Sequence, residues 1–188
     1  MLYLLGGAAR SGKTRIARQF LAQTGIPYFS LDFLMMGFAN GLPESGVDPE
    51  ADELWVAEQL WPVVQSMATA MVEDEVVYLL EGVQLHPAHV SGFCKRFPGA
   101  VRACFVGLAE VDTATKFQEI RHFGGGADDW LRFYSDERVR HEIERIKAQS
   151  VYIRDACQEV GLRYVEASDD LAIAAAEVIR HFICVQAP

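Results

Sequence analysis

The chain of 188 residues carries 17 Lys and Arg against 26 Asp and Glu, a formal net charge of −9. Its length favours one domain over residues 1–188, and 51 % hydrophobic with 23 % charged residues excludes disordered and collagen-like architectures. No apolar run approaches the roughly 18–20 uncharged residues that cross a bilayer, and an acidic chain is poorly suited to neutralising nucleic-acid phosphates.

Leu2-Tyr3-Leu4-Leu5, ended by Gly6-Gly7, reads as a strand buried on both faces. Lys13 to Gln23 reads as a helix with Ile16, Ala17, Phe20 and Leu21 on one face and Gly25 as its stop. Pro27 to Leu31 is a second short strand. Asp48-Pro49 has the form of a cap followed by a first-turn proline, and the helix predicted from it carries Leu54, Trp55, Leu60, Val64, Met67 and Met71. Pro62 is expected to kink or split that helix. Val76 to Leu80 is the clearest buried strand, His86-Pro87 opens another helix, and Val101 to Leu108 gives a fourth strand. A helix from about Asp112 to His122 follows. Ser135-Asp136-Glu137 caps a long helix whose stripe is Val139, Ile143, Ile146, Ile153, Cys157 and Val160, and Gly161 ends it. Leu162 to Val165 is a fifth strand, and the last helix is predicted from about Asp169. Alternating strands and helices predict a three-layer α/β fold, a five-stranded parallel sheet with helices on both faces.

Cys94, Cys104, Cys157 and Cys184 form no C-x-x-C pair and read as reduced thiols. With no basic segment before the apolar opening, the chain is expected to be cytoplasmic. The oligomeric state is left at monomer or homodimer.

Charge is unevenly distributed. Between Arg18 and Lys95 there is no Lys or Arg, while eleven acids fall in that stretch. Residues 19–94 therefore net −11 and the remainder +2.

The strongest chemical signal is Gly7-Ala8-Ala9-Arg10-Ser11-Gly12-Lys13-Thr14, which fits G-x-x-x-x-G-K-[ST] between a strand and a helix. The glycines let successive N–H groups turn inward at phosphate oxygens, and the following helix adds its N-terminal partial charge. Gly7, Ala9, Arg10, Ser11, Gly12, Lys13 and Thr14 are accordingly the candidate nucleotide-binding residues. Lys13 is placed to bridge the β- and γ-phosphates of ATP, and Thr14 to ligate Mg²⁺. Glu81, closing the strand Val76 to Leu80, is a candidate partner of that metal, alone or through water. Its bland alternative is a residue that ends a strand at the solvent boundary. Asp32, just past the second strand, should converge with them at the carboxyl ends of the sheet, where a general base would accept the proton of an incoming hydroxyl. A helix cap for Phe33 to Phe38 is the alternative for Asp32.

The loop, Asp32 and Glu81-Gly82 together resemble the P-loop small-molecule kinases, especially the zeta-toxin-like and chloramphenicol-phosphotransferase-like group. The resemblance implies a P-loop NTPase fold with a helical lid, ATP and Mg²⁺ as cofactors, Asp32 as the base on the acceptor hydroxyl, and lid arginines that clamp the phosphates. No motif identifies those arginines. The opening Gly6 to Lys13 is also similar to the loop of cobinamide kinases.

The lid is expected within residues 110–150, with Gly124-Gly125-Gly126 as a hinge between helices. Arg121 and Arg132 are the candidate phosphate-clamping side chains, Arg10 a further phosphate or lid contact; pairing with nearby acids on solvated helix faces is the alternative for the lid arginines. Ser168-Asp169-Asp170 reads either as part of a base pocket or as a helix cap. His86 and His89, three apart, lack the further ligands that a metal site needs. Phe33, Met35, Met36, Phe38, Trp55 and Trp61 read as core more readily than as a pocket wall.

Residues 33–74 are the expected acceptor-binding region. A phosphorylated acceptor there would lie among carboxylates with no local counter-charge. The expected function is therefore ATP-dependent phosphotransfer to a hydroxyl of a small neutral or cationic molecule. A GTPase lacks its N/T-K-x-D signal here, and an ATPase motor its LSGGQ signature. A non-catalytic or hydrolytic nucleotide-binding protein is the alternative.

Overall fold

In a computed structural model the described residues are 1–123 and 130–184, less the side chains of Phe123, Trp130 and Arg132. Five strands, β1 (Leu2–Gly7), β2 (Tyr28–Ser30), β3 (Tyr78–Glu81), β4 (Val101–Gly107) and β5 (Arg163–Glu166), form one parallel sheet in the order β2-β3-β1-β4-β5. The helices are α1 (Lys13–Thr24), α2 (Leu31–Gly41), α3 (Glu53–Glu73), α4 (Pro87–Arg96), α5 (Thr113–Phe123), α6 (Asp136–Val160) and α7 (Leu171–Ile183). The expected α/β architecture is present, with helices on both faces of the sheet.

The central strand β1 is apolar throughout and wholly buried, as a strand covered on both sides must be. On one face α1 and α7 pack together, and Tyr3, Phe20 and Phe182 meet there with ring centroids 5.1 to 5.7 Å apart. On the other lie α3, α4 and α6. Among the described residues no helix is long and apolar enough to cross a membrane.

Several boundaries differ from expectation. Asp48-Pro49 forms a turn, with Asp48 Oδ1 accepting from the Glu50 N–H; the cap of α3 is Asp52, which accepts from the Leu54 and Trp55 N–H groups at 3.0 and 3.1 Å. Pro62 does not split α3, which runs unbroken to Glu73. Glu58 and Pro62 both lie on its exposed side, so the carbonyl deprived of its partner faces water. Asp170 rather than Asp169 caps α7, accepting from the Ala172 and Ile173 N–H groups. The aromatic and methionine residues after β2 are not all core: Phe33 is 73 % and Trp55 42 % exposed.

The parallel register sets where the strands end. Leu5 pairs with Glu81 and Ser30 with Glu81, so the carboxyl ends of β1, β2 and β3 lie side by side. Ligands of open α/β sheets bind in such a crevice, where β1 and β3 send their chains to opposite faces.

Candidate active site

The turn after β1 has the shape its sequence implies. Gly7 adopts φ +139°, and a Cβ there would stand 1.9 Å from the Val106 carbonyl oxygen, so only glycine fits. Gly12, at φ +89°, ends the turn, and Arg10 holds a left-handed φ of 58° between them. Inside the turn the Ala8 carbonyl accepts from Ser11 Oγ at 2.8 Å and from Lys13 Nζ at 2.7 Å. Lys13 is buried although its residue type is almost never so, and burial holds its ammonium below the usual lysine range. Glu81, Asp32 and Glu53 oppose that shift, placing three carboxylates in the electrostatic neighbourhood of one cation.

Thr14 Oγ1 donates to Glu81 Oε1 at 3.0 Å. Glu81 is 1 % exposed. Burial pushes its carboxyl above the usual range, while Lys13 and the hydroxyls of Ser30 and Thr14 pull the other way. The strand-boundary reading of Glu81 therefore gives way to a buried carboxylate facing the turn.

Asp32 stands in the first turn of α2, whose N-cap is Ser30; it is not the cap of that helix. Its Oδ1 accepts from Gln84 Nε2 at 2.8 Å. Asp32 is exposed while Gln84 is buried, so the carboxylate reaches the crevice from an amide anchored in the protein.

From the opposite wall, α6 reaches the turn. Gln149 Oε1 accepts from the Ala9 N–H at 3.4 Å. One turn earlier Arg145 donates to Glu53 at the start of α3, across 2.8 Å, and to Glu142 on its own helix, across 2.9 Å. Between these elements opens a cavity of about 980 Å³. Its lining includes Ala9, Glu53, His86, Arg145, Gln149 and Tyr152, so it abuts the turn directly.

The structure thus brings Gly7, Ala9, Arg10, Ser11, Gly12, Lys13, Thr14, Asp32 and Glu81 to one end of the sheet. Arg121 lies elsewhere in its bonding: its Nη2 donates to the Tyr134 carbonyl at 2.8 Å and pairs with Asp136 at 2.7 Å, fastening α5 to the start of α6. The side chain of Arg132 and the Gly124–Gly126 hinge fall outside the described residues. Asp170 acts as a cap. Sequence reasoning misses Glu53, Gln84, Arg145 and Gln149. For Gln84 a signal exists: it is a polar residue between Val83 and Leu85, two positions beyond Glu81-Gly82. Arg145 and Gln149 lie on a helix face shared with apolar residues, and only the fold shows what they face.

No protein-family model and no curated protein matches the sequence. Solved structures match the fold. A gluconokinase from Sinorhizobium meliloti 1021 aligns at 16 % identity and TM-score 0.57, over 95 % of this chain and 89 % of that one. A shikimate kinase from Bacteroides thetaiotaomicron aligns at 15 % identity and TM-score 0.55, over 97 % and 96 %. A sugar kinase from Janibacter sp. HTCC2649 aligns at 18 % identity and TM-score 0.54, over 97 % and 91 %. At such identities the likeness is one of fold alone, the five-stranded parallel α/β architecture.

Proposed function

We propose that this protein is an ATP-dependent phosphotransferase whose acceptor is a hydroxyl of a small neutral or cationic molecule. The observation that carries the reading is the convergence of a phosphate-binding turn, a hydroxyl–carboxylate pair and a separately anchored carboxylate at the ends of three adjacent parallel strands. The likeness in fold to a gluconokinase, a shikimate kinase and a sugar kinase is in keeping with it. The finer likeness to the zeta-toxin-like and chloramphenicol-phosphotransferase-like group rests on the sequence motifs.

The turn amides and the N-terminus of α1 would hold the phosphates of ATP, with Lys13 exchanging the Ala8 carbonyl for phosphate oxygens. Thr14 and Glu81 suit Mg²⁺, which takes few protein oxygens and completes its shell with water and phosphate. A carboxylate raised by burial and served by hydroxyl donors is the kind of ligand that a cation relieves. When bound, Mg²⁺ supplies charge neutralisation at the phosphates. Asp32 accepts the acceptor's hydroxyl proton as the O–P bond forms; the bond between the γ-phosphorus and its bridging oxygen breaks, and ADP leaves.

The acceptor would have to reach Asp32, which does not itself line the cavity, and the cavity that meets the turn at Ala9 would be its way in. The cavity's charged lining is Glu50, Asp52, Glu53 and Glu142 against Arg138 and Arg145, and Arg145 is already shared by Glu53 and Glu142. An anionic acceptor would find little uncompensated positive charge in that wall. Four free thiols, two of them buried and pushed up to about 12, are in keeping with a reducing, cytoplasmic setting.

An ATP-consumption panel tests this. Neutral and amino-bearing alcohols should turn over, gluconate, shikimate and nucleoside monophosphates should not, and Asp32→Asn should cut transfer about 100- to 10,000-fold, leaving a measurable residue. Robust turnover of a monophosphate would overturn the acceptor class.

A further inference from the structure

Gln84 is 1 % exposed, and a buried side-chain amide demands partners for two donors and one acceptor. It finds one strong partner. Nε2 donates to Asp32 Oδ1 at 2.8 Å, with a longer contact to Met35 Sδ at 3.5 Å. The orientation of the amide is settled by chemistry, since an ionised carboxylate only accepts and the reverse placement would set oxygen against oxygen. Oε1, in contrast, is buried without a hydrogen-bond partner. It lies over Gly82, where a Cβ would come within 2.3 Å of it and within 2.9 Å of the Leu31 Cβ.

We propose that Gln84 is the positioning residue of Asp32, and that the segment Glu81-Gly82-Val83-Gln84 is a single device that sets both carboxylates of the site. At its first residue the segment meets Thr14; at its last it holds Asp32; Gly82 between them gives the Gln84 amide the room to fold back. The inference rests on Asp32 serving as the base. A base needs one oxygen fixed and the other with a lone pair open to the hydroxyl, and an amide N–H fixes an oxygen without competing for the proton. A buried oxygen without a partner lowers stability. An apolar residue of the same length would remove that cost, and Met35 beside the amide shows that sulfur is at home there. A glutamine here is favoured by function rather than by packing, and the two roles separate under one substitution.

The test is Gln84→Met. Its melting temperature should equal or exceed that of the parent. With MgATP and the best neutral or amino alcohol of the panel, or with water as acceptor through slow ATP hydrolysis, kcat should fall about 10- to 100-fold while KM for ATP stays within about twofold, the order expected for a misplaced catalytic group. In Asp32→Asn the same substitution should add less than about threefold, because residues acting as a unit are not additive. A crystal structure of Gln84→Met should show the Asp32 carboxylate in more than one rotamer. Full kcat in Gln84→Met, a loss that multiplies on top of Asp32→Asn, or an unmoved Asp32 in the crystal would each overturn the proposal. Unimpaired transfer by Asp32→Asn would instead bring down the reading of Asp32 as base, and the crystal would then decide alone whether Gln84 holds the carboxylate.

Discussion

The hydroxyl of Thr14 donates to Glu81 across 3.0 Å, joining the first residues of α1 to the end of β3 by a bond between residues 67 apart in sequence. The two groups are those that the proposed function assigns to Mg²⁺. Thr14→Val keeps the shape and removes the oxygen. Affinity for MgATP, measured by titration calorimetry, should fall about 10- to 100-fold, as for lost metal ligands and their supporting groups, while affinity for ATP in EDTA should change little. Equal losses with and without the metal would count against a metal role.

Lys13 donates to a neutral carbonyl and lies buried beside carboxylates, an arrangement that phosphate oxygens would improve. Lys13→Met should cut nucleotide affinity by roughly 10- to 150-fold, the worth of one charge-assisted hydrogen bond of about 1.5–3 kcal/mol. Fluorescent-nucleotide binding reads this directly, and unchanged affinity would remove Lys13 from the site.

Two glycines separate backbone demand from mere presence. Gly7 has φ +139° and the Val106 carbonyl at its back, whereas Gly92 lies inside α4 with open space where a Cβ would stand. Gly7→Ala should destabilise by at least about 2–3 kcal/mol through strain and clash. Gly92→Ala should stabilise by about 0.5–1 kcal/mol, the helix-interior difference between the two residues. Urea unfolding of both variants measures the contrast.

Burial holds His86 and His181 below the ordinary histidine range. His89 adds to the effect at His86 and Glu58 opposes it; at His181 the bond to the Ala103 carbonyl opposes it and Arg163 and Arg102 add to it. Below the ordinary value of 6.5 the unfolded chain takes up protons that the native histidines refuse, so stability falls as pH drops and is insensitive to them above it. The melting temperature should decline between about pH 7.5 and 5.5, and His86→Gln/His181→Gln should flatten that decline. Glu81, shifted upward, works with the opposite sign but is common to both proteins. A double variant with an undiminished slope would refute the assignment.

Local chemistry makes much of this molecule legible. The turn from Gly7 to Thr14 announces itself by residue type and spacing, and Glu81 and Asp32 emerge because strand ends converge in a parallel sheet. The start of α3 is easily misplaced because Asp48-Pro49 and Asp52-Glu53 both carry start signals, and only the second is followed by the helix. Phe33 and Trp55 mislead because apolar composition does not reveal which side of a helix lacks a neighbour. Gln84, Glu53, Arg145 and Gln149 owe their roles to partners 52 to 140 residues away, and no local pattern encodes such distances.

Helix α6 is 25 residues long, a straight span of about 37 Å at 1.5 Å per residue. Ser150, fully buried, pins it to the sheet: its Oγ accepts from the Leu108 N–H at 2.9 Å and donates to the Ile146 carbonyl at 2.8 Å. Such a rod with its fulcrum at Ser150 has unequal arms. Were the helix to pivot there, Gln149, beside the fulcrum, would shift least against Ala9, and Arg145, Glu142 and Arg138 progressively more along the cavity wall. The part of the cavity wall farthest from the turn is therefore the part that such a pivot would change most.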